Sequence, residues 1–191
     1  MRICIVRHGE TDWNKLGKLQ GREDIPLNET GVRQAERCGL ALRKGKWGAV
    51  FSSPLSRARQ TADIIAGITG IGEVYEDDDL IERDYGKASG LTAEERDALF
   101  PDGNYAGMEA WEPLKDRMAA ATLRCAAKAN GRDIILVSHG SAINSLLAHL
   151  SNHAIGTGKT PLQNGHLSML EYTGGLYRIL FYNKPADEAE I

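Results

Sequence analysis

Short apolar runs alternate along the chain with longer stretches in which apolar residues recur every three or four positions. The first run, Ile3 to Val6, is uninterrupted and reads as a buried strand. Val32, Ala35, Gly39 and Leu42 then mark one face of a helix closed by Gly45. Ala49-Val50-Phe51 reads as a second strand. Ser53-Pro54 follows as N-cap and first-turn proline, opening a helix lined by Leu55, Ala58, Ala62 and Ile65. A weak strand is expected from Glu73 to Glu76, and Trp111, Leu114, Met118, Cys125 and Ala129 give the longest helical pattern. Ile134 to Val137 is a wholly apolar strand, with Ile143, Leu146, Leu147 and Leu150 marking the helix behind it. Leu167 to Tyr172 and Leu176 to Tyr182, joined by Thr173-Gly174-Gly175, read as a closing hairpin. The acidic tail, 184–191, is expected to fray. This alternation of strands and helices is that of an α/β fold.

The stretch from Gly86 to Gly107 breaks the rhythm, having few large apolar residues and several Gly, Asp and Glu. It reads either as a lid over a site or as a solvated connector, and composition leaves both open. No repeat or linker divides the 191 residues, so a single domain over 1–191 is expected. With 42% hydrophobic and 26% charged residues, the composition excludes a disordered or low-complexity chain. A net charge of −3 argues against a nucleic-acid partner. No apolar run approaches the roughly 18 residues of a membrane helix, and Arg7 ends the first one too early for a signal peptide. A cytoplasmic setting without a membrane partner is therefore expected. Nothing in the pattern specifies an oligomeric state. The three cysteines, Cys4, Cys38 and Cys125, are far apart and odd in number, which suits reduced, buried thiols.

Ligands of open α/β sheets bind at the carboxyl ends of the strands. Two strands end in matching fashion, in Arg7-His8-Gly9 and Ser138-His139-Gly140, each with a glycine that lets the backbone turn close to a ligand. One such histidine would be structural; two in equivalent contexts, one beside an arginine, point to chemistry. Arg57 lies in the first turn of its helix, where the dipole disfavours a cation unless an anion is near. With Arg7 it offers two guanidinium forks matched to phosphate oxygens. Other signals are weaker. Gly156-Thr157-Gly158-Lys159-Thr160 lacks the first glycine and the preceding strand of a P-loop. His149 and His153 have zinc-helix spacing, but Leu150 stands where the glutamate is required, and His166 has no evident partner. No metal and no cofactor are expected.

The run Arg7-His8-Gly9-Glu10-Thr11-x-x-Asn14 resembles the phosphate-pocket signature of the histidine phosphatase, or phosphoglycerate mutase-like, superfamily. The resemblance continues in Leu27-Asn28-Glu29-Thr30-Gly31, in Ser53-Pro54-Leu55-x-Arg57-Ala58-x-Gln60-Thr61-Ala62, in Leu80-x-Glu82-x-x-x-Gly86 and in Val137-Ser138-His139-Gly140. The ordered set spans most of the chain. The resemblance implies a three-layer α/β/α sandwich with a mostly parallel sheet and a short lid insertion. It makes His8 the nucleophile, with Arg7, Arg57 and His139 around the phosphoryl group. Asn14 becomes an amide donor to the phosphate, a helix cap being its other reading. Glu82 becomes the general acid and base, where it would otherwise be a surface carboxylate among Asp77, Asp78, Asp79 and Asp84.

Three activities fit: a phosphatase of the broad-specificity subgroup acting on small phosphorylated substrates, a 2,3-bisphosphoglycerate-dependent phosphoglycerate mutase, and a non-catalytic phospho-ligand binder. Mutases of the family carry a basic insertion after the acid. Here Gly90 to Trp111 holds one basic residue, Arg96, against Glu94, Glu95, Asp97, Asp102 and Glu109, a net charge of −4. That favours the phosphatase, with Tyr85, Tyr105, Met108 and Trp111 expected to offer contact area to the alcohol portion.

Overall fold

Successive residues of a strand point to opposite faces of its sheet, and the two apolar strands at the centre of this protein serve a core on each side. The computed structural model describes residues 1–191. Its strands are β1 (Arg2–Arg7), β2 (Trp47–Ser52), β3 (Val74–Glu76), β4 (Asp133–Ser138), β5 (Leu167–Thr173) and β6 (Leu176–Lys184). They form one sheet in the order β3-β2-β4-β1-β5-β6. Pairing is parallel from β3 through β1 and antiparallel for β1–β5 and β5–β6. The helices are α1 (Asp12–Lys15), α2 (Glu29–Leu42), α3 (Ser56–Thr69), α4 (Ala93–Leu99), α5 (Trp111–Lys128) and α6 (Gly140–Leu150). Ile3, Ile5, Ile134 and Leu136 pack with Leu114, Met118, Ile143 and Leu146 of α5 and α6. Cys4, Val6, Ile135 and Val137 pack with Cys38, Leu42, Ala62 and Ile65 of α2 and α3. The result is the expected α/β fold, a mostly parallel sheet between two helical layers.

Several local expectations change. The buried stripe of α2 is Gly31, Ala35, Cys38, Gly39 and Leu42, leaving only Val32 of the expected face exposed. α3 begins at Ser56, two residues after Pro54, because its cap comes from elsewhere: Ser56 donates to the Asp24 carboxylate through N and Oγ, each at 2.7 Å. A carboxylate suits the positive end of a helix, while the Ser53 hydroxyl accepts from Leu55 N at 3.3 Å and meets His139 at 2.8 Å. The tail beyond Lys184 does not fray: Ala186, Ala189 and Ile191 pack on the core beneath α2, where apolar area is gained. Gly174 and Gly175, at φ 59° and 86°, make the two-residue hairpin turn.

The irregular segment 86–107 leaves and rejoins the body at one point, where Tyr85 bridges Met108 and Lys87 N donates to Ala106 O at 3.1 Å. Two further bonds pin it to the chain after α1, Gly90 N to Leu19 O at 2.7 Å and Leu19 N to Leu91 O at 3.0 Å.

Candidate active site

The two histidines meet because of strand order. β1 and β4 are parallel neighbours with Arg7 opposite Ser138, so their ends leave the sheet side by side. His8 N donates to Ser138 O at 3.0 Å, and the rings of His8 and His139 lie 5.0 Å apart. β2 flanks β4 on its other side and delivers Ser53 and Arg57 to the same edge. The Asn28–Gly31 run brings the start of α2 against the loop after His8. A Cβ on Gly31 would stand 2.1 Å from Glu10 O and one on Gly9 2.3 Å from Gly31 O, so only glycines permit this approach.

Arg7, His8, Asn14, Arg57 and Glu82 line one cavity of about 240 Å³. Polar groups of Lys18, Gln20, Tyr85, Ser141 and Asn144 complete it, and Leu19, Pro161 and Leu162 are its apolar walls.

His8 is 2% exposed. Its Nδ1 lies 2.7 Å from Gly9 O, a group that only accepts, so Nδ1 carries the proton and Nε2 keeps the lone pair. Burial holds its pKa well below the usual 6.5 of a histidine; Arg57 and Arg7 add to this, and the Gly9 bond opposes it. Burial, then Arg57, acts likewise on His139. Both rings are thus neutral near pH 7, which suits nucleophilic attack. The same shifts fix the sign of a stability effect. Below pH 6.5 the unfolded chain binds protons that the folded one refuses, so stability is complete above that value and falls as the medium is acidified. Each ring contributes a limiting slope of about 1.4 kcal/mol per pH unit. Denaturation midpoints from pH 7 to 5 should fall less steeply in His8→Asn than in the parent; equal slopes would refute a neutral buried His8.

Arg57 is 1% exposed and makes no salt bridge. Nη1 and Nη2 donate to Glu23 O and Gly21 O at 2.7 and 2.8 Å, and Nε to His139 Nδ1 at 3.2 Å. Burial lowers its pKa to about 10, against the pull of Glu82 and Asp24, so it remains a cation. Arg7 also lacks a carboxylate partner; it donates to Leu162 O, and its Nε is buried without a partner. Two cations held by neutral carbonyls beside one cavity form a ready anion site, since buried charge is costly until paired.

Glu82 is 8% exposed and is no surface carboxylate. Oε1 accepts from Arg83 N at 2.8 Å and Ala142 N at 2.9 Å, and Oε2 from Ser141 N at 3.1 Å, at the start of α6. Asn14 is both part of the α1 cap and a lining residue of the cavity. Its Oδ1 accepts from Thr11 N, Thr11 Oγ1 and Asn164 Nδ2, each at 3.2 Å, within the cap of α1. With the oxygen so engaged, its Nδ2 donors have no protein partner, and the residue lines the cavity.

His139 is not among the residues that line the cavity, although its ring stands 5.0 Å from that of His8. It is fully buried behind the cavity wall, with Nδ1 accepting from Arg57 and Nε2 donating to Ser53 Oγ at 2.8 Å. Of the four residues expected to contact the alcohol portion, only Tyr85 lines the cavity, its hydroxyl 2.5 Å from Ser141 Oγ. Trp111 lies under the Arg83 guanidinium at 3.7 Å, and Tyr105 packs edge-on against Phe100.

Thr61, which accepts from Gly9 N at 3.1 Å, and Ser53, which meets His139 Nε2, belong to the Ser53–Ala62 motif, where their hydroxyls are the signal that marks them. Asn164 donates to His8 O at 3.0 Å from 156 residues away, and no local pattern marks it. No group of three or more His, Cys, Asp or Glu is placed to hold a metal ion, and no helix is long and apolar enough to cross a membrane.

The family model of the Histidine phosphatase superfamily (branch 1) matches residues 3–185. The uncharacterized phosphatase PhoE of Bacillus subtilis (strain 168) is 41% identical over 181 residues, 95% of this chain and 93% of that protein. The probable phosphoglycerate mutase GpmB of Salmonella choleraesuis (strain SC-B67) is 34% identical over 184 residues, 90% and 85% of the two chains. A mycobacterial glucosyl-3-phosphoglycerate phosphatase, solved in complex with VO3, superposes with a TM-score of 0.86 at 26% identity, over 96% of this chain and 99% of that one. The sheet order, the paired strand-end histidines and these similarities have one explanation: the chain belongs to the histidine phosphatase superfamily, branch 1, whose members similar to it include phosphatases and phosphoglycerate mutase-like proteins.

Proposed function

We propose that this protein is a metal-independent phosphatase that hydrolyses small phosphomonoesters through a phosphohistidine on His8. The observation that carries this reading is the pair of guanidinium groups without carboxylate partners, beside a neutral histidine and a buried glutamate. His8 Nε2 attacks phosphorus as the ester P–O bond breaks. Arg7, Arg57 and the Asn14 amide neutralise and orient the equatorial oxygens, so most of the catalysis is positioning and electrostatics. His139 acts through Arg57, whose Nε it holds. The leaving alkoxide takes a proton from Glu82. Glu82 then removes a proton from water, whose attack on the P–N bond releases phosphate and restores His8. Three buried, free cysteines, with Cys38 and Cys125 pushed up to about 12 chiefly by burial, suit a reducing cytoplasm. The 86–107 segment serves as a lid indirectly, by fixing the Leu19 stretch of the cavity wall.

A mutase is the second reading, and the likeness to GpmB favours it. Against it stands the wall composition: beyond Arg7 and Arg57 the cavity has one cation, Lys18, too few for a bisphosphate. Net phosphate release is therefore the expected activity. The test offers 3-phosphoglycerate, with and without 2,3-bisphosphoglycerate, beside a panel of phosphomonoesters, with isomerisation and phosphate release followed together. Rapid bisphosphoglycerate-dependent isomerisation with little phosphate would replace the phosphatase by the mutase. Chelator should leave the rates unchanged.

A further inference from the structure

The chain that carries Glu82 has no regular secondary structure to hold it. Asp78–Leu80 form one short 3-10 turn, and Ile81 to Asp84 run free of the sheet. One side of Glu82 is fixed by the start of α6, which receives its carboxylate. The other side is fixed by a single residue of α5.

Arg117 has five N–H donors, and each finds an acceptor. Nη1 donates to Asp79 O at 2.7 Å and Ile81 O at 2.6 Å; Nη2 donates to Glu82 O at 3.0 Å. Nε and Nη2 hold Glu109 Oε1 and Oε2 at 2.8 and 2.9 Å as a bidentate pair. Both partners are largely buried, at 13% and 12% side-chain exposure. Glu109 then grips the chain beyond Glu82: its Oε2 accepts from Asp84 N at 3.2 Å, its N donates to Asp84 O at 2.9 Å, and its O accepts from Arg83 Nε at 2.8 Å. Every residue from Ile81 to Asp84 is therefore held by this pair. Neither Arg117 nor Glu109 lines the cavity.

We infer that Arg117 and Glu109 are positioning residues for Glu82, setting where its carboxylate stands relative to the leaving-group oxygen. The inference rests on Glu82 being the proton donor. A planar fork is needed to reach three carbonyls and a carboxylate together, and lysine, with a single charged point, cannot do so. A carboxyl displaced by about 1 Å loses on the order of a hundredfold in rate, and the loss falls on the step that needs its proton.

The test is burst and single-turnover kinetics of Arg117→Lys, Glu109→Gln, Glu82→Gln and Arg117→Lys/Glu82→Gln on an alkyl phosphate and on an activated aryl phosphate, which follow ester cleavage apart from the later hydrolysis of phosphohistidine, with thermal midpoints measured for each protein. Arg117→Lys is expected to slow cleavage of the alkyl phosphate about a hundredfold, with cleavage of the aryl phosphate within about threefold of the parent. Glu109→Gln should show the same selectivity to a smaller degree, and it serves should Arg117→Lys fail to fold. Added to Glu82→Gln, Arg117→Lys should cost nothing further on the alkyl phosphate. Equal losses on both substrates in the Arg117 and Glu109 variants, or losses additive with Glu82→Gln, would mark a purely structural pair and overturn the inference. If Glu82→Gln itself strikes both substrates equally, the proton-donor reading fails and takes the inference with it. A selective Glu82→Gln beside an unselective Arg117→Lys sinks the inference alone.

Discussion

His8→Asn is expected to abolish phosphate release, by at least about 10⁴-fold, the scale on which removal of a covalent nucleophile acts. The asparagine amide fills much of the imidazole's space and retains a donor for Gly9 O, the bond that now holds His8 Nδ1 at 2.7 Å. It has no lone pair able to attack phosphorus. Arg7, Arg57 and Asn14 keep their places, so inorganic phosphate should still bind and raise the thermal midpoint of the variant. The parent protein, quenched during turnover, should carry acid-labile, base-stable phosphate, and the variant none. Retention of most of the activity by His8→Asn would end the phosphohistidine mechanism, whatever the state of the anion site.

Glu82→Gln separates proton transfer from displacement. The amide keeps the shape of the carboxyl and still accepts an N–H through its oxygen, but it delivers no proton. An alkyl phosphate, whose alkoxide leaves poorly, should lose about 10²- to 10⁴-fold in kcat, the range of general acid catalysis. An activated aryl phosphate needs little protonation, so its cleavage, read as the burst of aryl alcohol before phosphohistidine is hydrolysed, should lose under about tenfold. Equal damage to both substrates would remove Glu82 from the acid's place and leave it a structural cap of α6.

The central strands were legible in the sequence because they are buried on both faces and so carry no polar residue between Ile3 and Val6 or between Ile134 and Val137. A polar residue where such a strand ends has left the core at its carboxyl edge, which made His8 and His139 readable as a candidate site, while Arg57 stood out as a cation at the positive end of a helix. Helix periodicity located α2, α3, α5 and α6 to within a few residues for the same reason, since a buried stripe must repeat with the turn of the helix.

What periodicity could not contain is whatever depends on partners far along the chain. The side-by-side exit of the two histidines comes from β4 lying next to β1, a matter of strand order. The withdrawal of His139 behind Arg57 needs Ser53, 86 residues away. Asp24 capping α3, the tail packing under α2 and Arg117 gripping the carbonyls around Glu82 are likewise contacts between segments whose own patterns are unremarkable. Local sequence determined which residues leave the core and where; only the tertiary structure decided which of them meet, because hydrogen bonds and charges act over a few ångströms of space while the residues that share them stand tens of positions apart in the chain.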